Sequence, residues 1–293
     1  GAKGLKGGIL KGQILLNLDT EEDDEIDIGC AGGIDVTATR SYMEENVPAG
    51  YIAYGISVKG LHGGHSGMDI HRGFGNANKI MNRLLFKSTE EYALRVAQID
   101  GGSLRNAIPR ESFATVVLEA DRKKDFELKI SDWIQEIKNE NSFVETKLEI
   151  NLNEVEIPDK IMEKSAQEKI LKAIYAAHNG VYAMSAAIPE LVETSNNIAK
   201  ITAADGEIKV ECLTRSSVES SKDDLANTLT AVFEMAGFDV SKSGEYPGWA
   251  PNMDSPILKV MDALYEKMNG QKANVAACHA GLECGILGQN YPE

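Results

Sequence analysis

Cysteine is scarce in this sequence: four in 293 residues, at positions 30, 212, 278 and 284, with no CxxC pair. So few, so widely spaced, do not make a disulfide framework, and buried reduced thiols in a cytoplasmic protein are the expectation. Long apolar runs are missing as well. No stretch of about 18 apolar residues occurs, which excludes a membrane-spanning helix. Positive charge is in deficit: 30 Lys plus Arg against 45 Asp plus Glu leaves a net charge of −15. An acidic surface repels phosphate, so neither nucleic acid nor an anionic membrane is the expected partner. What remains is ordinary for a folded chain, 43% hydrophobic and 26% charged, and its length suits about two domains.

Periodicity gives the elements. Residues 13–18 (QILLNL) read as a short buried strand running into acid, since seven of the nine residues from Asp19 to Asp27 are acidic. Gly29-Cys30-Ala31-Gly32-Gly33 reads as a close-packed turn or strand edge, and Val47-Pro48-Ala49-Gly50 as a boundary. Residues 51–59 alternate as a half-buried strand, 60–73 form a Gly- and His-rich loop, and 74–86 repeat apolar residues at helical spacing. Strands are expected near 92–99 and 112–119, a helix over 122–139 and a strand over 144–151, which together spell β-α-β-β-α-β. A second pass follows: a helix over 160–178, a hairpin of 193–203 and 207–214 turned at Asp205-Gly206, a helix opened by Ser221 with Asp224, and a strand at 238–242. Ser255, Pro256 and Asn269-Gly270 frame a further helix, and 274–278 a further strand.

Five segments carry residues with chemistry. In Asp19-Thr20-Glu21-Glu22, Asp19 directly follows the apolar run, where a carboxylate is held rigidly enough to bind a divalent cation; a solvated acidic turn is the competing reading. In Leu61-His62-Gly63-Gly64-His65-Ser66-Gly67, with His71 close behind, three imidazoles suit zinc, or His65 donates to a developing oxyanion, or the loop only satisfies its own backbone. Asn106 in GGSLRNAIP serves a turn or binds a carbonyl; that segment has neither GxxxxGK[ST] nor GxGxxG and is no phosphate loop. Arg215 ends an apolar strand, where a guanidinium grips a carboxylate or pairs with an acid of the protein. Gly281 in His279-Ala280-Gly281-Leu282-Glu283-Cys284-Gly285 lies in a backbone suited to lining a site.

The segments LLNLDTEEDDEI, GCAGGID, KGLHGGHSGMDIHRGFGNANK, GGSLRNAIPRE, VETSNN with CLTRS, YPGWAPNMDSP and HAGLECG, in this order and spacing, resemble the aminoacyl-histidine dipeptidases along the whole chain. That family, Xaa-His or carnosine-cleaving dipeptidases, belongs to the dizinc aminopeptidase and carboxypeptidase superfamily. The resemblance implies an α/β fold in which parts of a catalytic domain, residues 1–47 and 244–293, flank an inserted α+β lid, 48–243. The lid is expected to have an antiparallel sheet in two β-α-β-β-α-β-like halves. It implies two zinc ions, other divalent cations being conceivable, and a zinc-activated water that attacks a dipeptide. By the same resemblance Asp19 is a zinc ligand, His65 the lid residue that stabilises the oxyanion, Asn106 and Arg215 substrate contacts, and Gly281 a substrate-lining residue. A homodimer is conceivable. The family's HxD motif, bridging Asp, DEE motif and late His are not found between Gly1-Ala2 and Tyr291-Pro292-Glu293. A metal-poor, inactive fragment of a longer enzyme is therefore expected. A non-catalytic binding or dimerisation module, and an N-acyl amino acid hydrolase, are the alternatives.

Overall fold

The computed structural model of the chain describes residues 2–19, 22–186 and 188–291. Thr20 and Glu21 of the acidic segment, and Pro292 and Glu293, lie outside the described residues.

In chain order, β1 (Glu25–Cys30), β2 (Gly32–Ser41) and β3 (Glu44–Asn46) come first. Next are β4 (Tyr51–Lys59), α1 (Ala77–Tyr92), β5 (Arg95–Gly101), β6 (Ser112–Glu119), α2 (Lys123–Glu140) and β7 (Glu149–Val155). After β8 (Lys160–Met162) come α3 (Lys164–Ala176), β9 (Gly180–Met184), β10 (Val192–Ala204), β11 (Glu207–Ser216), α4 (Glu219–Met235) and β12 (Asp239–Tyr246). The last are α5 (Pro256–Asn269), β13 (Asn274–Cys278) and α6 (Glu283–Gly288).

Among the described residues, nine strands form one antiparallel sheet in the order β12-β2-β11-β10-β5-β6-β4-β7, with β9 on the N-terminal part of β10. The order exposes an internal duplication. In the first half the strands in chain order are β4, β5, β6 and β7, and in the sheet they lie β5-β6-β4-β7. In the second, β2, β10, β11 and β12 lie β10-β11-β2-β12. Both sequences place second, third, first, fourth, with a helix after the first and the third strand. The halves join edge to edge where β5 pairs antiparallel with β10, Gly101 opposite Ile201. The first strand of the second half is thus β2, which precedes the entire first half in the chain.

The helices cover one face of the sheet. Leu84 and Leu85 of α1, Phe126 and Ile130 of α2, Ile170 and Ile174 of α3 and Leu229 and Phe233 of α4 share one core with Val36, Val116 and Val210. Burying side chains of this size stabilises by roughly 1.5–3 kcal/mol each. Phe126 is the centre of an aromatic cluster, 5.8 Å from Tyr54 and 5.3 Å from Tyr92 between ring centroids. A separate parallel pair, β1 with β13, packs against α5.

Several expectations need correction. Residues 13–18 form no strand; Ile14, Leu15, Leu16 and Leu18 are exposed, because their backbone has no neighbouring strand to pair with among the described residues. The Cys30 region is the break between β1 and β2, and residues 32–41 are a full strand. Ser221 lies inside α4, whose first residue is Glu219, so it caps nothing. β2, which precedes the boundary expected at 47/48, and β12, which spans the one expected at 243/244, both belong to the nine-stranded sheet. The Asp205-Gly206 turn is as read, with φ of 52° and 77° at its two residues. No helix among the described residues is long and apolar enough to cross a membrane.

Candidate functional site: a buried arginine against a loop histidine

β10 and β11 both run beyond the part of the sheet that meets β5, and their ends carry the site. Arg215, near the end of β11, pairs in register with Ser195 of β10. Its side chain is withdrawn from solvent, the residue being 4% exposed. The guanidinium is spread over three partners. Nη1 donates to Tyr246 Oη at 2.6 Å, Nε to Ser66 Oγ at 3.4 Å, and Nη2 lies 3.5 Å from His65 Nε2. Burial pulls the Arg215 pKa down, and the charges of its surroundings only partly offset this.

His65 sits in the loop between β4 and α1. Its backbone is bracketed by the 104–108 loop: Ser66 N–H donates to the Asn106 carbonyl at 2.8 Å and Ile108 N–H to the Gly64 carbonyl at 2.9 Å. Inside the loop the ring is fixed by its own chain. Gly67 and Met68 N–H groups donate to His65 Nδ1 at 3.2 and 3.1 Å. Two such bonds outweigh one long contact at Nε2, so the lone pair belongs to Nδ1 and the proton to Nε2. Burial, and then Arg215, hold the ring neutral by lowering its pKa, against the weaker pull of Asp69. The result is two N–H donors, from His65 and Arg215, presented side by side. Such a pair suits neighbouring oxygens that carry negative charge.

Glycine makes this packing possible at Gly67, where a Cβ would lie 2.1 Å from the His279 carbonyl oxygen. His279 is buried, and its Nε2 is 2.8 Å from Ser195 Oγ. Its pKa is pushed down to about 3, first by burial and then by the charges of Arg215 and His71. His279 is therefore a neutral wall of the site.

Tyr246 is not singled out as a site residue by the sequence, where it opens the segment YPGWAPNMDSP. It ends β12, with its ring against Gly281, where a Cβ would come within 2.8 Å of the ring. A buried cation holds this strand end. Lys222 of α4, its side chain fully enclosed, pairs with Glu219 at 2.6 Å and Glu245 at 3.1 Å, and Glu219 accepts from Gly248 N–H at 2.6 Å.

The other expected residues are distributed unevenly. Asn106 contributes its backbone to the His65 bracket, while the residue itself is exposed. Gly281 is exposed beside Tyr246. His62 does not join His65: it stacks on Phe74 at 5.0 Å and its Nδ1 is 3.1 Å from Glu145. Asp19 is exposed, and its N–H donates to Asn17 Oδ1 at 3.1 Å. Among the described residues no group of three His, Cys, Asp or Glu side chains is placed to hold a metal ion. The two zinc ions that the resemblance implies therefore do not fit this donor set. All four cysteines are free thiols, Cys30 and Cys212 buried and Cys278 and Cys284 half-buried.

Comparison with known proteins agrees with this architecture. Residues 56–145 match the family model described as a peptidase dimerisation domain. The whole chain is 39% identical over 293 residues to the cytosol non-specific dipeptidase of Escherichia coli strain K12, covering 60% of that protein. It superposes on the crystal structure of aminoacylhistidine dipeptidase from Vibrio alginolyticus with a TM-score of 0.96 and 41% identity, covering 100% of this chain and 60% of that one. The chain thus spans about three fifths of the length of these relatives. By sequence and by fold, the chain is similar along its whole length to these two dipeptidases.

Proposed function

We propose that this chain supplies the substrate-holding side of a dipeptidase that cleaves Xaa-His dipeptides such as carnosine. The observation that carries the reading is the pair of donors, His65 Nε2–H and Arg215 Nη2–H, with Nε2 and Nη2 3.5 Å apart. A peptide carbonyl gains most of its negative charge only when it becomes tetrahedral, so a donor aimed at that oxygen lowers the barrier more than it tightens binding. His65, neutral and fixed by its loop, is that donor. Arg215 holds the substrate's C-terminal carboxylate, which is charged throughout the reaction. Asn106 and Gly281 border the same space and contact the bound dipeptide. Asp19 is the one zinc ligand proposed in this chain, and zinc, where bound, would supply activation of the attacking water. A cytosolic homodimer is the proposed state of the whole protein, supported by the matched dimerisation domain.

Steady-state kinetics on the protein expressed from its natural gene, with alanyl-histidine as substrate, tests this. His65→Ala is expected to lower kcat by about 10²–10³ with little change in KM. Arg215→Ala is expected to act mainly on KM. Hydrolysis of N-acetyl-histidine in preference to the dipeptide would instead assign an N-acyl amino acid hydrolase.

A further inference from the structure

The geometry points to Arg105 as a positioning residue that fixes His65 relative to Arg215, an inference that rests on the oxyanion role proposed for His65. Arg105 belongs to the loop between β5 and β6, in the first half of the duplicated body, yet its side chain reaches wholly into the second half. Nη2 donates to Thr37 Oγ1 of β2 and to Glu211 Oε1 of β11, both at 2.7 Å; Nη1 donates to the Cys212 carbonyl at 3.2 Å; and Nε is 3.5 Å from Asp35 Oδ2. A guanidinium fork is suited to this, because its planar donors engage several acceptors at once in fixed geometry. Thr37 and Glu211 are cross-strand partners, so Arg105 grips a defined point of the sheet. Asn197 of β10 fastens the same loop from the other side, its Nδ2 donating to the Ala107 carbonyl at 2.8 Å and the Arg105 carbonyl at 3.3 Å.

The loop so anchored is the one that brackets His65. Asn106 and Ile108 bond the residues on either side of it, and His65 itself bridges to Ala107. The anchor and the substrate clamp share one strand. Glu211 and Arg215 are four residues apart on β11, on the same face of the sheet by its period of two. A ring of contacts therefore runs from Arg215 along β11 to Glu211, through Arg105 to the loop, and from the loop to His65, which faces Arg215 again. Arg105 closes that ring between the two halves. An error of about 1 Å in a reacting group costs on the order of 10²-fold in rate, so the length of this ring bears on catalysis.

A double-mutant cycle tests the inference in the protein expressed from its natural gene. Arg105→Met is expected to lower kcat on alanyl-histidine by about tenfold to 10²-fold where His65 is present. In the His65→Ala background it is expected to change kcat by less than about twofold, because the group it positions is gone. An equal loss in both backgrounds would mean a general structural role and overturn the proposal. Thr37→Val, which removes one bond of the fork and conserves volume, gives the same pattern with a smaller loss, and serves if Arg105→Met does not fold. A ¹⁵N spectrum of the histidine rings in this chain reads the same question without turnover. The His65 ring is expected in its Nε2–H form in the wild type and in exchange between tautomers in Arg105→Met and, to a smaller degree, in Thr37→Val. An unchanged ring signal in a folded variant overturns the proposal. If the wild type hydrolyses no dipeptide but the ring signal shifts as expected, the functional reading fails and the positioning role stands.

Discussion

Arg215 donates to the hydroxyl of Tyr246 at 2.6 Å, a contact between the end of β11 and the end of β12 that sets one arm of a buried guanidinium. Both residues lie where the chain leaves the sheet, and Lys222 with its two glutamates holds the second strand end in place. The clamp proposed for a substrate carboxylate therefore depends on a tyrosine 31 residues away in sequence.

Tyr246→Phe is expected to destabilise the folded protein by about 1–3 kcal/mol, since it removes a hydrogen bond to a charged group that has little water to replace it. Urea unfolding at neutral pH measures this. In kinetics the same variant should resemble a weakened Arg215→Ala, with KM raised more than kcat is lowered. A melt and a KM identical to wild type would remove Tyr246 from the support of the clamp.

His279 makes stability depend on pH in a definite direction. Folded, its pKa is about 3, against 6.5 for an ordinary histidine. Below pH 6.5 the unfolded chain takes up a proton that the folded chain refuses, so stability is full above that pH and falls as acid approaches pH 3. The contribution of one such group approaches roughly 1.4 kcal/mol per pH unit. Carboxylates titrate in the same range, so the comparison is between wild type and His279→Gln. The difference in unfolding free energy between them should narrow steadily from pH 6.5 downward. Parallel curves would show that His279 is not held neutral by the fold.

Zinc binding by this chain alone is expected to be weak. A zinc site takes about four ligands, and Asp19 is an exposed carboxylate with no metal-binding group of three around it among the described residues. Isothermal calorimetry should give no saturation at micromolar zinc. Two ions bound per chain at that affinity or tighter would contradict the geometry.

Much of the local structure was legible in the chain. β4, β6, β13 and the β10–β11 hairpin lie close to where alternation and turn residues put them, because a half-buried strand writes a period of two and an Asp-Gly turn needs left-handed backbone. The helix over 255–270 was legible for the same kind of reason, its proline at the first turn and its glycine at φ of 74° past the end. His65 and Arg215 stood out as residues, His65 between glycines and Arg215 at the end of an apolar strand.

What the sequence determined by itself was therefore local: propensity, period, turn chemistry and the presence of an imidazole and a guanidinium in suitable neighbourhoods. It misplaced QILLNL as a strand, because a short apolar run looks the same whether or not a neighbour is there to pair its backbone. It missed β2 as the first strand of the second half, because that strand is separated from its own half by the whole of the other. Strand order, the join of β5 to β10, the approach of Tyr246 to Arg215 and the reach of Arg105 across both halves were decided only by the tertiary structure. Each is a contact between segments far apart in the chain, set by which hydrophobic faces can be buried together, and no local pattern encodes that choice.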